Sequence, residues 1–202
     1  MQPTKIPPEQ ENPVDQVLLK GCDILAPPLK QLSLTPNLIT TICVVTSYLA
    51  ACAIYRGDKK AFVSWAVAAY FLDCLDGHFA RKYDMCSVFG DYYDHFTDWL
   101  YYGSVLIVAL GIRGFKPNYQ KYAYLIYLVI ALAAVGMMWH FGCQESLYAL
   151  EKSKYQSGCH SPTLNWCQKM CTDPEKSIYT SRWFGSGTFN LLLIGIVVFA
   201  IR

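Results

Sequence analysis

Long apolar runs alternate with short polar links along the chain, on the length scale of membrane-crossing helices. Residues 1–13 (MQPTKIPPEQENP) carry no such run and predict a disordered tail. Residues 14–33 mix apolar positions with Lys20, Asp23 and Lys30. They are too polar to span and predict an amphipathic segment on the membrane surface, broken at Pro27 and Pro28. "TPNLIT" (35–40) then opens a first span ending near Tyr55, with Thr35 as cap and Pro36 at the first helical position. After RGDKK (56–60) a second span starts near Ala61, and a third covers about 87–112, polar and acidic in its first half and apolar in its second. A fourth span covers about 119–141, residues 142–188 read as a long polar loop with a short helix near 144–152, and FNLLLIGIVVFAIR forms a barely sufficient last span. The fold class is therefore all-α, a polytopic membrane helix bundle of about five to six transmembrane helices plus an N-terminal interfacial helix. Residues 14–202 form a single membrane domain.

Composition agrees with that pattern. Hydrophobic residues make up 53% of the chain and charged residues only 16%, which disfavours a soluble domain. A formal net charge of +2 gives no bulk electrostatic reason to bind nucleic acid. No cleavable signal peptide is visible. Lys and Arg are slightly more abundant on the side holding the N-terminus, Arg81, Lys82 and the long loop, which assigns that side to the cytosol. Nine cysteines, an odd count without a regular framework, argue against a secreted disulfide scaffold. Cys43, Cys52 and Cys74 lie in apolar runs as small hydrophobes. Cys159, His160, Cys167 and Cys171 have poor spacing for zinc and read as reduced loop thiols.

Against this thin background of charge, "DCLDGHFAR" (73–81) stands out at the far end of the second span. At 1.5 Å per residue, Asp73 lies roughly 18 Å beyond Ala61, well inside a ~30 Å hydrocarbon core. A carboxylate at that depth is a functional candidate. On a helix Asp73, Asp76, Gly77 and Ala80 share one face, and on the next helix Gly90, Asp94 and Asp98 do the same. Four carboxylates thus converge from two helices joined by a short link, and hard divalent cations, two Mg²⁺ or Mn²⁺ ions, are their natural partners. Two such ions can clamp a diphosphate during an in-line displacement. Gly77, Ala80 and Gly90 leave room for a ligand, Arg81 suits a phosphate, and Ser87 is placed to donate a hydrogen bond. Small residues also let membrane helices pack closely, but four aligned acids beside them favour a ligand. Asp91 reads as a supporting or solvated acid, Asp84 as solvated, His78 and His95 as helix-surface residues, and Trp99, Tyr101 and Tyr102 as core and interface anchors.

The run Asp73-x2-Asp76-Gly77-x2-Ala80-Arg81-x8-Gly90-x3-Asp94-x3-Asp98 resembles the complete signature of the CDP-alcohol phosphotransferase family. "PNLIT" is similar to the opening of that family's first helix, and the resemblance covers roughly residues 34–112. It implies that a hydroxyl attacks the phosphorus next to the transferred group of a CDP-linked substrate, with CMP leaving. By the family pattern Asp73, Asp76 and Asp94 are metal ligands and Asp98 is both ligand and catalytic base. Gly77, Ala80, Arg81 and Gly90 would cradle the CDP moiety, with Thr40 and Ser87 as lesser candidates. The resemblance also implies a homodimer and about six helices where the chain shows about five; with Arg81 and Lys82 on the side assigned to the cytosol by charge, the active site is expected to face the cytosol. "YDHFTD" (93–98) resembles choline and ethanolamine phosphotransferases, acting on CDP-aminoalcohols and diacylglycerol. "DGHFAR" and the short chain resemble phosphatidylinositol synthases, acting on CDP-diacylglycerol and a polar alcohol, and the reading leans this way. Readings of other classes are a prenyltransferase, which lacks the Asp-Gly-x2-Ala-Arg run, a cation transporter or channel, and an inactive homologue.

Overall fold

The computed structural model describes residues 4–151, 159 and 161–202, and these are almost entirely helical. Helix α1 (Pro13–Gln31) is followed by α2 (Pro36–Arg56), α3 (Lys59–Lys82) and α4 (Val88–Leu106), the last continuing as a wider π-helical stretch over Ile107–Arg113. A short α5 (Pro117–Gln120) leads into α6 (Ala123–Glu151), and α7 (Pro174–Ser181) and α8 (Ser186–Ala200) close the chain. Local chemistry sets the boundaries. Thr35 Oγ1 accepts from Leu38 N at 3.3 Å with Pro36 just inside α2. Gly57, at φ 77°, ends α2 in the left-handed conformation, and Asp58 accepts from Ala61 N at 3.0 Å to start α3. This two-residue corner makes α2 and α3 antiparallel. Ser87 Oγ accepts from Gly90 N at 3.0 Å and starts α4.

Two apolar clusters hold the part of the bundle that carries the acids. Ala50, Ala53, Ile54, Phe62, Ala66, Tyr101, Val105 and Val197 join α2, α3, α4 and α8. Cys22, Ala26, Ile39, Leu75 and Phe79 fasten α1 across α2 and α3. Outward-facing residues stay apolar, among them Tyr124, Leu125, Leu128, Leu132 and Val135 on α6, as a lipid-facing surface requires. Among the described residues three helical stretches, Pro36–Arg56, Ala123–Leu150 and Pro174–Ala200, are long and apolar enough to cross a membrane. The stretches expected as second and third spans are helical, as α3 and α4, but their acids and bases keep them out of these three. The fold is an all-α membrane helix bundle.

Several expectations change. The helix over 13–31 does not break at Pro27 and Pro28. Pro27 has no N–H to give to the Asp23 carbonyl, and the Lys82 ammonium reaches that oxygen instead, at 3.4 Å. Residues 4–12, expected within a disordered tail, pack against the bundle, with Ile6 1% exposed between Cys143, Leu147, Cys171 and Ile178; residues 1–3 lie outside the described residues. The described residues of the expected loop over 142–188 are mostly helical, and 152–158 and 160 lie outside them. α6 continues to Glu151 because Cys143 and Leu147 extend a buried face, and a 3-10 segment covers Pro162–Met170. α7 and the single turn Arg182–Phe184 run into α8, so the last span is 27 residues long rather than marginal.

Candidate functional site

α3 and α4 meet at the Tyr83–Ser87 link, and their signature faces enclose a cavity of about 350 Å³. Asp76, Gly77, Ala80, Arg81, Ser87, Gly90 and Asp94 all line it. Thr40 of α2 joins them, donating from Oγ1 to Asp76 Oδ2 at 2.5 Å and fixing that carboxylate. The glycines are there for space. A Cβ on Gly77 would come 3.2 Å from the Arg81 guanidinium, and one on Gly90 would come 3.0 Å from Ser87 Oγ and 3.2 Å from Asn37 Oδ1. A side chain at either position would crowd the cavity's polar groups.

Asp73 and Asp98 are placed differently. They line a separate space of about 10 Å³ with Cys43, Ser47, Thr97 and Tyr101, room for about one water. Asp73 and Asp98 share this space as Asp76 and Asp94 share the larger cavity, so the four carboxyls line two spaces along the same pair of helices. Carboxylates this close repel unless a cation or a proton lies between them. Asp94 Oδ1 is buried without a hydrogen-bond partner among the described residues. An all-oxygen donor set with an orphaned buried oxygen fits a hard divalent cation. As the side chains stand, no three Asp, Glu, His or Cys groups among the described residues close on one metal position.

Other residues around the cavity carry little signal in the sequence. Asp91 Oδ2 accepts from Thr163 N at 3.1 Å and Thr163 Oγ1 at 2.8 Å, so it docks the Pro162–Met170 segment over the site and is not a solvated acid. His95 Nδ1 lies 2.8 Å from the Asp91 carbonyl and 3.0 Å from Thr163 Oγ1. His78 is 0% exposed, not a surface residue, because α1 covers it, and its Nε2 lies 3.1 Å from Asp23 Oδ1. Lys5 and Ser161, from opposite ends of the chain, also line the cavity. Nothing in the local sequence around either marks it.

The cysteine reading is corrected. Cys86 is bonded to Cys159 and Cys143 to Cys171, so these are neither zinc ligands nor reduced loop thiols. Cys167 is buried and free, and His160 lies outside the described residues. The pairing escapes a sequence reading because each bond closes only when distant segments dock. Cys86 and Cys159 both border the cavity.

Residues 33–163 match the model of the CDP-alcohol phosphatidyltransferase family, well over half of the chain and all of the signature. The chain belongs to the CDP-alcohol phosphatidyltransferase family. An archaetidylinositol phosphate synthase from Pyrococcus horikoshii is 34% identical over 110 residues, covering 54% of each chain. The chain thus spans about half the length of the curated relative it matches. No solved structure matches the chain. Within the family-matched region lie α2 to α6 and the start of the Pro162–Met170 segment; residues 4–32 and 164–202 lie outside it.

Proposed function

We propose that this family member is a metal-dependent phosphotransferase of phospholipid synthesis, moving a phosphatidyl group from CDP-diacylglycerol to a polar alcohol with release of CMP. The observation that supports it is the gathering of Asp76, Gly77, Ala80, Arg81, Ser87, Gly90 and Asp94 on one cavity, with a buried Asp94 oxygen that has no hydrogen-bond partner among the described residues. Gly77, Ala80 and Gly90 leave the helix surfaces low enough for the nucleotide to lie against them. Arg81 pairs with its phosphates. Asp73, Asp76, Asp94 and Asp98 would hold two divalent cations, Mg²⁺ or Mn²⁺, which when bound offset the acids' charge and polarise the diphosphate. Thr40 keeps Asp76 turned toward that position. Asp98 accepts the proton of the attacking hydroxyl. That oxygen bonds to the phosphorus bearing diacylglycerol, and CMP departs. The Pyrococcus relative's name contains an inositol phosphate, so a polyol head group is the first acceptor to test. The Tyr93-Asp94-His95 stretch keeps CDP-choline and CDP-ethanolamine with diacylglycerol as the second donor–acceptor set. A homodimer is the assembly the resemblance implies.

Purified protein with Mn²⁺ or Mg²⁺ should release CMP from CDP-diacylglycerol with a polyol acceptor. Asp98→Asn should lower kcat by about 10²–10⁴-fold, the range of a lost general base, while CDP still binds. Full activity in Asp98→Asn would remove Asp98 from the base role, and no CMP from any CDP-linked substrate would remove the enzymatic reading. The side of the membrane has two readings. Lys and Arg distribution favours the cytosol, whereas two disulfides, one of them bordering the cavity, favour an oxidising compartment. Thiol trapping in intact cells decides between them.

A further inference from the structure

The cavity has one wall that the signature does not supply. Lys5 lines it, although it lies far ahead of residues 33–163. Its position is built, since the neighbouring Ile6 is plugged among Cys143, Leu147, Cys171 and Ile178 of the α6–α7 side. Beneath the lysine sits Glu145 of α6, 1% exposed, in direct ion-pair contact with the ammonium. Lys5 itself is 18% exposed, and Glu145 is its only hydrogen-bond partner among the described residues. An ammonium has three N–H donors, so two remain, and the cavity is what they border. Seating a charged pair at a depth like that of Glu145 costs desolvation that an apolar pair would avoid. A second anion arriving from the cavity would give the lysine a further charge-assisted contact.

Lys5 lines the cavity from a different wall than the nucleotide cradle does. Gly77, Ala80, Arg81 and Gly90 belong to α3 and α4, whereas Lys5 is held by α6 and α7. It nevertheless lines the same cavity as Asp94, one of the acids proposed above to hold the cations. A neutral alcohol has no use for a cation on that wall. We propose that Lys5 binds an anionic group on the acceptor, so that the acceptor is a phosphorylated polyol rather than a neutral one. This rests on the transfer reading above and specifies its second substrate.

The test compares wild type, Lys5→Gln and Lys5→Arg in CMP release from CDP-diacylglycerol. The acceptors are myo-inositol 1-phosphate, glycerol 3-phosphate, myo-inositol and glycerol. Wild type should have the higher kcat/KM for a phosphorylated acceptor. Lys5→Gln should raise the KM for that acceptor about tenfold or more, leave the KM for CDP-diacylglycerol within about twofold, and be largely rescued by Lys5→Arg. In parallel, the preferred phosphorylated acceptor should raise the Tm of wild type and of Lys5→Arg but not of Lys5→Gln. A wild-type preference for the unphosphorylated alcohol, an equal KM rise for CDP-diacylglycerol, or an unchanged thermal shift in Lys5→Gln overturns the assignment. Should Lys5→Gln not fold, the wild-type acceptor preference and the Lys5→Arg values decide. If no acceptor gives CMP, the transfer reading falls, and the thermal shift alone decides whether Lys5 holds a phosphate.

Discussion

Glu11 gives a pH dependence that can be worked out in advance. It follows the first turn of the chain, is almost fully buried, and its Oε2 accepts from Gln144 Nε2 at 2.9 Å. Burial, with the Asp15 carboxylate adding to it, pushes its carboxyl up from 4.5 to about 8. The folded state therefore keeps a proton that the unfolded chain gives up near pH 4.5. The sign follows: this contribution is fully present at low pH and is lost as pH rises toward 8. For one proton the slope is about 1.4 kcal/mol per pH unit. Over the window from 4.5 to about 8 that accumulates to roughly 4–5 kcal/mol. Asp15, pushed up to about 6 by burial, steepens the lower part of the same window.

Glu11→Gln removes the titration and keeps the shape and an acceptor for Gln144. Thermal unfolding of wild type in detergent should fall steeply between pH 6 and 8. In Glu11→Gln the curve should be flatter by about one proton's slope and the protein more stable at pH 8. Limited proteolysis of the N-terminal segment should report the same difference, since Glu11, Asn12 and Ile6 dock that segment. Parallel pH curves for the two proteins would refute the reasoning, because they would mean that Glu11 ionises without cost where it sits.

Gly142→Ala would put a Cβ 2.1 Å from the Cys167 carbonyl oxygen, forcing α6 away from the Pro162–Met170 segment. A cost of ~3 kcal/mol and a Tm drop of roughly 6–12 °C are expected, read by thermal melting. Reducing both disulfides with a dithiol should lower the Tm and expose Cys86 and Cys159 to alkylation at the cavity edge, as mass spectrometry of labelled thiols would show. An unchanged Tm with fully labelled thiols would mean that the bonds do not tie these segments to the bundle.

What could be read from the sequence was local or periodic. Thr35 and Pro36 mark the start of α2, and the spacing of Asp73, Asp76, Gly77 and Ala80 fixes a helix face whatever surrounds it. The same holds for Gly90, Asp94 and Asp98, which is why most of the cavity was legible before any packing was known. What escaped depended on partners distant in the chain. Ile6 is one apolar residue among polar neighbours, and only the far end of α6 gives it a core. Pro27 reads as a helix breaker because Lys82, which meets the freed carbonyl, is 55 positions away. His78 reads as exposed until α1 lies over it. Asp91 gains its role only from Thr163.

These late arrivals converge on the same place. The docked N-terminus brings Lys5 to the cavity, Asp91 and the Cys86–Cys159 bond bring Ser161 and Thr163, and α1 seals the back of α3 at His78. Two helices with aligned acids would present their carboxylates along an open groove. Segments outside them give that groove walls, and walls raise the strength of every charge inside by excluding water. The signature thus accounts for the cradle proposed for cations and nucleotide. The surrounding segments, built from residues with no motif of their own, supply the cavity's remaining walls, where the proposed acceptor would lie.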